Sequence, residues 1–375
     1  MPTPQSRREY ILQQRRDHNR LTVAVLPVHY PKEILTALDI LSVEIWGPPG
    51  LPSGAGSVRI QSYICSIVRN AMSFIEAGKA DVVDGILFPH TCDSLQGLAS
   101  LVPDWGSWKK PVFRFQHPRG PQRAEARSYL LKEMKFLISE LERAFGRSLS
   151  DEKLSAALRL HIEADELRSA LFAKRRHFQG SDLELYSLIR KEEYLWVEDY
   201  IAVLKRAVEG LSSRPVKEGL PLLVTGYVPE PMELLKALND AGALIVADDY
   251  AAVGRRIPVR KPQTAPHDDP LQRLIDRYLS YPPCPTRSHD TGARISHLLT
   301  LARNAGVRGV IIHEVKFCEP ELFDVPLLRE AFEREGLPVL FLETELEKTL
   351  SAQTSTRIEA FMEVLREKAV KERAA

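Results

Sequence analysis

Short apolar runs alternate with helical patterns at both ends of the chain. In the N-terminal part, four runs predict buried strands, at residues 21–28, 43–46, 82–88 and 112–115. After Gly219, four further runs have the same character, at residues 221–225, 243–247, 307–313 and 338–342. The segments between these runs carry helix-start signals or apolar residues at helical spacing. Strands that alternate with helices in this way are typical of parallel α/β sheets.

The middle of the chain has a different pattern. Apolar residues recur at three- and four-residue spacing through residues 130–141 and 154–160, and no strand pattern interrupts residues 123–212. We therefore predict an α/β protein with two Rossmann- or flavodoxin-like parallel-sheet domains and a helical insert between them. The predicted order is an N-terminal helix, a first α/β domain, the insert and a second α/β domain, at residues 1–20, 21–120, 121–215 and 216–375. The same patterns predict a loop at residues 47–56 and a final amphipathic helix from about Gln353.

The two predicted α/β domains share a short sequence pattern. Residues 31–35 and 231–235 both have the form P-x-E-[I/L]-L, directly after the first predicted strand of each domain. Later in each domain, a glycine and three apolar residues precede a cysteine, which is Cys92 in the first domain and Cys318 in the second. An internal duplication would explain these coincidences. The alternative is that any two parallel α/β domains share such a pattern, and both explanations stay open.

Composition and charge argue against several classes of partner. The chain has 375 residues, with 51 basic and 50 acidic side chains, so its net charge gives no reason to expect a nucleic-acid or membrane partner. No apolar run is long enough to span a membrane, and the N-terminus lacks the apolar segment of a secretory signal, so we expect a cytoplasmic protein. The chain also lacks a GxxxxGK[S/T] loop and a GxGxxG fingerprint after a strand. These absences argue against ATP hydrolysis and against a nicotinamide dehydrogenase.

Three of the four cysteines have similar positions in the predicted fold. Cys92 and Cys318 each follow a predicted buried strand, and Cys65 belongs to the same half of the chain as Cys92. Because ligands gather at the carboxyl ends of strands in open α/β sheets, three thiols at such an edge could hold an iron–sulfur cluster and leave one iron free for chemistry. Cys284 differs, because it lies in a proline-rich turn between helices. The absence of a CxxC pair argues against a zinc finger or a disulfide framework, and buried free thiols are the ordinary alternative.

Two histidines and one glutamate are further candidates for a site. His29 and His90 each follow a predicted strand, so either could hydrogen-bond a substrate or transfer a proton. A structural or surface histidine is the alternative for both. Glu319 directly follows Cys318 and could act as an acid–base group or support a ligand, or it could be solvated or cap a helix.

Several segments match, in order, the motifs of a known family. Residues 315–324 (VKFCEPELFD) and 353–361 resemble the signature and the closing stretch of the 2-hydroxyacyl-CoA dehydratase and benzoyl-CoA reductase family. Residues 62–65 (SYIC) and 88–94 (FPHTCDS) resemble its two upstream cysteine motifs, and residues 247–256 resemble its Asp-Asp element. The resemblance extends from the first predicted strand to the C-terminus. The cysteine segments are specific as a set, although each alone is a weak signal.

The resemblance implies a cofactor and partners. In this family each cluster-bearing subunit holds a 4Fe-4S cluster by three cysteines, which match Cys65, Cys92 and Cys318 here, and the fourth iron is open or takes a small ligand or the substrate. Two related subunits usually pair, as a heterodimer or a homodimer. A separate ATP-hydrolysing iron–sulfur activator protein supplies a low-potential electron, and the substrate is an acyl-CoA.

Two reactions are compatible with the resemblance. In the dehydratases, the electron reduces the thioester carbonyl of a 2-hydroxyacyl-CoA to a ketyl radical, which expels the 2-hydroxyl group, loses a proton from C3 and gives the enoyl-CoA. In the reductases, the same machinery reduces an aromatic ring that is activated as its CoA thioester. We expect a dehydratase subunit, with a benzoyl-CoA reductase subunit as the nearest alternative. A non-catalytic electron-transfer or scaffold subunit is the third interpretation.

Asp248 and Asp249 pose a separate question. Adjacent carboxylates can bind a hard cation, but neighbouring side chains on an extended segment point apart. We therefore favour a helix cap or pairing with Arg255 or Arg256. The family resemblance adds that these two arginines could meet the phosphates of CoA.

Overall fold

The chain divides into two compact units. The first unit comprises Met1–Leu167, Lys191–Lys205 and Pro258–Tyr281, and the second comprises Arg168–Arg190, Arg206–Ile257 and Pro282–Ala375. The computed structural model describes residues 6–48, 60–105, 108–118, 120, 123–259, 269–287, 290–347 and 349–374.

The first unit is built on a sheet of four parallel strands. These are β1 Leu21–Val25, β2 Ile40–Glu44, β3 Gly85–Pro89 and β4 Val112–Phe115, in the spatial order β2-β1-β3-β4. The helices of this part of the chain are α1 Arg7–His18, α2 Lys32–Ala37, α3 Ser66–Glu76 and α4 Asp93–Trp105. Strand residues such as Val23, Val25 and Leu87 are fully buried, which is why these strands are continuous apolar runs in the sequence.

The stretch predicted as a helical insert contains four α-helices. They are α5 Ala124–Phe145, α6 Asp151–Ala173, α7 Asp182–Ile189 and α8 Val197–Val208. Local sequence explains several of their ends: α5 stops at Gly146, which adopts a left-handed conformation, and α7 starts with a capping box made by Ser181 and Glu184. The residues of this stretch are divided between the two units.

The second unit contains another sheet of four parallel strands. They are β5 Leu220–Gly226, β6 Ala243–Tyr250, β7 Gly309–Val315 and β8 Val339–Thr344, in the order β6-β5-β7-β8. The remaining helices of the chain are α9 Glu233–Asp240, α10 Pro270–Leu279, α11 Thr291–Ala305, α12 Glu319–Leu322, α13 Val325–Arg334 and α14 Ala352–Ala374. All of them except α10 belong to the second unit.

The two sheets have the same strand order. In each, the first strand pairs with the second and the third, and the fourth lies beyond the third, which is the order of flavodoxin-like sheets. This confirms the predicted fold class of two parallel-sheet α/β domains. In the part of the chain that the structure describes, no helix is long and apolar enough to cross a membrane.

Some element boundaries differ from the predictions. Strand β6 continues through Asp248 and Asp249 to Tyr250, and β7 continues through Glu314. These polar side chains are buried, so the polar residues do not end the strands as the sequence pattern predicts. Our sequence pattern also predicts a helix through Cys65, whereas Cys65 has an extended backbone and directly precedes α3. The predicted loop at residues 47–56 falls mostly outside the described residues.

Candidate functional site

Cys65 lies at the N-terminus of helix α3 in the first unit. It is the N-cap residue, and its thiol makes no capping hydrogen bond to the first turn. Burial, and then the charge of the Cys92 thiolate, raise the pKa of Cys65 to about 12, while the backbone at Val68 and Ile67 acts in the opposite direction. Cys65 and Cys92 thus influence each other electrostatically within the first unit. Among the described residues, no three histidine, cysteine, aspartate or glutamate side chains form a group that could hold a metal ion.

Cys92 lies between strand β3 and helix α4 of the first unit. Strand β3 ends at Pro89, and Cys92 directly precedes Asp93, the first residue of α4. Its carbonyl oxygen accepts the N–H of Gln96 at 3.1 Å, which is the first turn of that helix. The side chain is partly exposed, so this thiol is more accessible than the buried Cys65.

Cys318 is the N-cap of the short helix α12 in the second unit. Its carbonyl oxygen accepts the N–H groups of Glu321 and Leu322 at 3.1 and 3.0 Å. Phe317 before it has a left-handed backbone, with φ of 65°, which is uncommon for a residue with a side chain. All three predicted ligands thus directly precede the first turn of a helix.

Cys284 has a different environment. It is almost completely buried, and Nη1 of Arg255 donates to its sulfur at 3.2 Å. The hydroxyl oxygen of Thr286 lies 3.0 Å from the same sulfur. Cys284 lies between α10 and α11, and no helix starts directly after it. The distinction between Cys284 and the other three cysteines that the sequence suggested is therefore present in the structure.

The two adjacent aspartates point in different directions. Asp249 accepts from Arg255 Nε at 3.0 Å and from the hydroxyl of Thr225 at 2.8 Å. Asp248 accepts the hydroxyl of Tyr186 and the backbone N–H of Gly254. The predicted divergence of the pair and the pairing of Asp249 with Arg255 are confirmed. The predicted contact of Arg255 with CoA phosphates is wrong, because its side chain is fully buried against carboxylates.

A second buried arginine joins this group. Arg294, on α11, donates to Asp324 and to Glu321, both at 2.8 Å. Glu321 also accepts both Nη groups of Arg255. We call Asp249, Arg255, Arg294, Glu321 and Asp324 the arginine–carboxylate cluster. The sequence did not single out Arg294 or Glu321, because their pairing joins segments that are distant in the chain.

Glu314 is a buried acid that the sequence analysis missed. It is fully buried near the end of β7, and neither carboxyl oxygen has a hydrogen-bond partner among the described residues. Burial, and then the negative charge of Glu321, raise the pKa of Glu314 well above its ordinary value. Its signal in the sequence is a glutamate at the end of an apolar strand, whose predicted end at residue 313 lies two residues before the observed end at Val315.

Two histidines of the first unit, His29 and His117, lie close together at the carboxyl end of its sheet. His29 follows β1 and has a left-handed backbone, like Val28 before it. Its carbonyl oxygen accepts the hydroxyl of Tyr278 at 2.7 Å, and the same hydroxyl lies 3.0 Å from Nδ1 of His117. The rings of His29 and His117 meet edge to face, with 6.2 Å between centroids. His117 was not predicted, although it follows β4 as His29 follows β1.

His90 and Glu319 are placed at less enclosed positions. His90 is partly buried after β3, and its Nε2 lies 3.8 Å from Oδ1 of Asp93, beyond hydrogen-bonding distance. Glu319 is exposed at the first position of α12. Glu321, two residues later, is the buried acid of that helix.

Comparison with known proteins places these residues in context. The family model described as 2-hydroxyglutaryl-CoA dehydratase, D-component, matches residues 27–365. The chain is 25% identical to the beta subunit of lactoyl-CoA dehydratase from Anaerotignum propionicum over 349 residues, which cover 92% of this chain and 91% of that protein. It is 24% identical to the beta subunit of (R)-2-hydroxyglutaryl-CoA dehydratase from Acidaminococcus fermentans over 355 residues, 92% of each chain.

A relative of the other kind is similar to the same degree. One of the benzoyl-CoA reductase subunits of Thauera aromatica is 28% identical over 340 residues, which cover 86% of this chain and 85% of that protein. The range that the family model matches contains strands β2 to β8 and all four cysteines, in agreement with the resemblance found in the individual motifs. The chain belongs to the 2-hydroxyglutaryl-CoA dehydratase D-component family.

Proposed function

We propose that this chain is the iron–sulfur subunit of a 2-hydroxyacyl-CoA dehydratase-type enzyme. It would eliminate water from a 2-hydroxyacyl-CoA by a radical route, after one-electron activation by a separate ATP-hydrolysing iron–sulfur protein. The observation that supports this most strongly is the common placement of Cys65, Cys92 and Cys318. Each of these cysteines directly precedes the first turn of a helix, whereas no helix starts directly after Cys284.

The residues present fit a 4Fe-4S cluster as ligands. Thiolates are the soft donors that iron–sulfur clusters require, and the free cysteines Cys65, Cys92 and Cys318 would supply them. When bound, such a cluster supplies one-electron chemistry and one iron that is free of protein thiolates.

Other residues of the chain would handle protons and position the substrate. His29, His90 and His117 lie at the same end of the first sheet as Cys92, so they are the candidates for hydrogen-bonding an acyl-CoA or moving a proton. Tyr278 fixes the loop that carries His29 through its carbonyl oxygen. Exposed Glu319 is a candidate acid–base group beside Cys318.

The names of the relatives suggest partners for this chain. Each of the three is named as one subunit of an enzyme, two of them as beta subunits. We extend this to the present chain, which would pair with a related second subunit. The absence of a GxxxxGK[S/T] loop supports a separate ATPase as the electron donor.

Two alternatives remain distinct from this proposal. A benzoyl-CoA reductase-type subunit, reducing an aromatic acyl-CoA, is favoured by the 28% identity to the Thauera aromatica protein. A non-catalytic electron-transfer or scaffold subunit would bind the same cluster without affinity for an acyl-CoA. Titrating cluster-loaded protein with a 2-hydroxyacyl-CoA and with benzoyl-CoA, followed by electron paramagnetic resonance, separates the three.

The first test is the cluster itself. Iron and acid-labile sulfide are measured on anaerobically prepared full-length protein, for the wild type and for each Cys→Ser variant. We expect about four irons per chain in the wild type and in Cys284→Ser, and loss of most iron in the other three variants. An iron-free wild type after careful anaerobic reconstitution would contradict the proposal, and so would equal iron content in all four variants.

A further inference from the structure

The short helix that begins at Cys318 is held by buried ion pairs. Helix α12 has only four residues, so its own hydrogen bonds contribute little to its stability. Its last turn carries Glu321, which is completely buried. Both Nη groups of Arg255 donate to this carboxylate, and Arg294 Nη2 donates to it at 2.8 Å. Three charge-assisted hydrogen bonds on one side chain therefore fix the helix.

These contacts reach Cys318 through the backbone of the same helix. The N–H of Glu321 donates to the carbonyl oxygen of Cys318 at 3.1 Å, and the N–H of Cys318 donates to Val315 at the end of β7. Phe317, directly before Cys318, has a left-handed backbone. This conformation costs free energy and persists only where the surroundings constrain it. The carboxylate of Glu321 is the nearest buried charge in α12 that can supply this constraint.

Arg255 connects α12 to two other segments. Its Nε donates to Asp249 at the end of β6, and its Nη1 also donates to the sulfur of Cys284. A planar guanidinium can serve these three acceptors at once, whereas the ammonium group of a lysine cannot reproduce the fork geometry. The arginine is fully buried, so water cannot replace a lost contact without entering the core.

We propose that Arg255 is a positioning residue for Cys318: through Glu321 it sets where the Cys318 thiol lies at the start of α12. Cys284 then belongs to this positioning network as an acceptor for Arg255. The inference rests on the proposed role of Cys318 as a cluster ligand and extends that role to a residue that does not touch the cluster.

The test compares Arg255→Lys with the wild type in full-length protein freed of metal by a chelator. The rate of alkylation of each cysteine by iodoacetamide is measured by peptide mass spectrometry. Cys318 is 7% exposed, so its modification is limited by opening of the helix start. We expect alkylation of Cys318 to be about tenfold faster in Arg255→Lys, because α12 opens more often. An unchanged rate would overturn the proposal.

Arg277→Lys is the matched control. Arg277 is the buried arginine of the first unit, and it pairs with Glu33 and Asp165 in the same way that Arg255 pairs with its two carboxylates. This variant loses a comparable fork, so it reports the general effect of weakening a buried ion pair. We expect its Cys318 rate to equal that of the wild type. Equal acceleration in both lysine variants would show general loosening and would also overturn the proposal.

A second variant and a spectroscopic measurement keep the proposal testable if Arg255→Lys does not fold. Glu321→Gln keeps the shape of the side chain and removes its charge, so it decides the question if Arg255→Lys does not fold; an unchanged Cys318 rate in it counts against the proposal. After reconstitution, the electron paramagnetic resonance signal should change in Arg255→Lys and not in Arg277→Lys. A wild type that takes up no iron would overturn the proposed function, while the alkylation rates would still decide whether Arg255 positions Cys318.

Discussion

The two units share a strand order but place polar residues differently at the carboxyl ends of their strands. In the first unit His29 follows β1 and His117 follows β4, and the buried acid Glu44 is the last residue of β2. In the second unit buried acids lie within two strands, Asp249 in β6 and Glu314 in β7. The same backbone framework thus produces a histidine-rich edge in one unit and a buried layer of acids and arginines in the other.

The buried arginines sharpen this contrast. Arg277 of the first unit, on α10, pairs with Glu33 on α2 and Asp165 on α6, so it joins three helices. Arg255 of the second unit holds the helix that carries Cys318. Similar ion pairs therefore serve the packing of helices in one unit and the placement of a thiol in the other, and measurements of stability and of the site should separate these roles.

The largest expected effect comes from removing these arginines. Arg277→Met or Arg255→Met would remove an arginine partner from two buried carboxylates, which costs about 3–5 kcal/mol of the free energy of unfolding. Urea unfolding is followed by far-UV circular dichroism for the whole chain. Tryptophan fluorescence reports the first unit alone, because all four tryptophans lie in its segments.

The control for this comparison is a surface ion pair. Arg308 pairs with Glu372, and both side chains are about half exposed, so Arg308→Met should cost less than about 1 kcal/mol. A loss as small as this in Arg277→Met would contradict the view that the first unit depends on its buried arginine.

The next effect is a pH dependence that the second unit alone should show. Burial and the neighbouring Glu321 raise the pKa of Glu314 above its ordinary 4.5. The contribution of Glu314 to the free energy of unfolding is therefore fully present below pH 4.5, and it is lost as the pH rises toward the pKa of the folded state. The glutamine side chain in Glu314→Gln does not ionise, so this variant lacks the pH dependence that Glu314 causes. Its stability relative to the wild type should therefore increase with pH from about 4.5 upward, by up to about 1.4 kcal/mol per pH unit.

The measurement is urea unfolding of both proteins between pH 4 and 8. Asp249, Arg255, Arg294 and Glu321 face Glu314 and are present in both proteins, so their own titration largely cancels in the difference. Glu319→Gln is the control for the substitution itself, because it makes the same chemical change at an exposed position of helix α12. A flat difference for Glu314→Gln would mean that Glu314 is ionised in the folded protein.

The fold was accessible from the sequence because its signal is local. Continuous apolar runs identify parallel strands, and the strand–helix alternation identifies the fold class. Cys92 and Cys318 were found by the same logic, as residues just beyond predicted strands. Asp249 and Arg255 are close in sequence, so their pairing could also be predicted.

The rest depends on contacts between distant segments. Glu33 and Glu233 occupy the same place in a shared pattern, yet Glu33 is buried against Arg277 while Glu233 is exposed and accepts the backbone N–H of Leu350. No local pattern distinguishes the two. Glu314 was missed for a related reason, since a buried acid in a strand is recognised only when its neighbours are known.

A smaller effect concerns a tyrosine–histidine pair in each unit. Tyr278 contacts Nδ1 of His117 at 3.0 Å, and Tyr250 contacts Nδ1 of His313 at 2.9 Å. Replacing either tyrosine by phenylalanine leaves a buried polar group without its partner and should cost about 1–2 kcal/mol. Tyr129→Phe is the control, because this side chain is largely exposed and should change stability by less than about 0.5 kcal/mol. If either buried variant matches this control, its hydrogen bond contributes nothing.

The two pairs should also differ in which ring nitrogen of the histidine carries the proton. This difference is detected by spectroscopy and not by measuring stability. Tyr278 has one hydroxyl proton and donates it to the carbonyl oxygen of His29, so its contact with His117 requires a proton on Nδ1 of that ring. In the second unit, Thr344 donates its hydroxyl proton to the carbonyl oxygen of Glu230 at 3.1 Å.

His313 must therefore donate from Nε2 to Thr344, at 2.7 Å, and accept the hydroxyl of Tyr250 at Nδ1. Burial lowers the pKa of His313 to about 3, so the ring is neutral at physiological pH. Nitrogen-15 chemical shifts of histidine-labelled protein, assigned with His117→Gln and His313→Gln, should show an Nδ1–H ring for His117 and an Nε2–H ring for His313. The same tautomer at both positions would remove this difference between the units, because it would require one of the two hydroxyl groups to donate elsewhere.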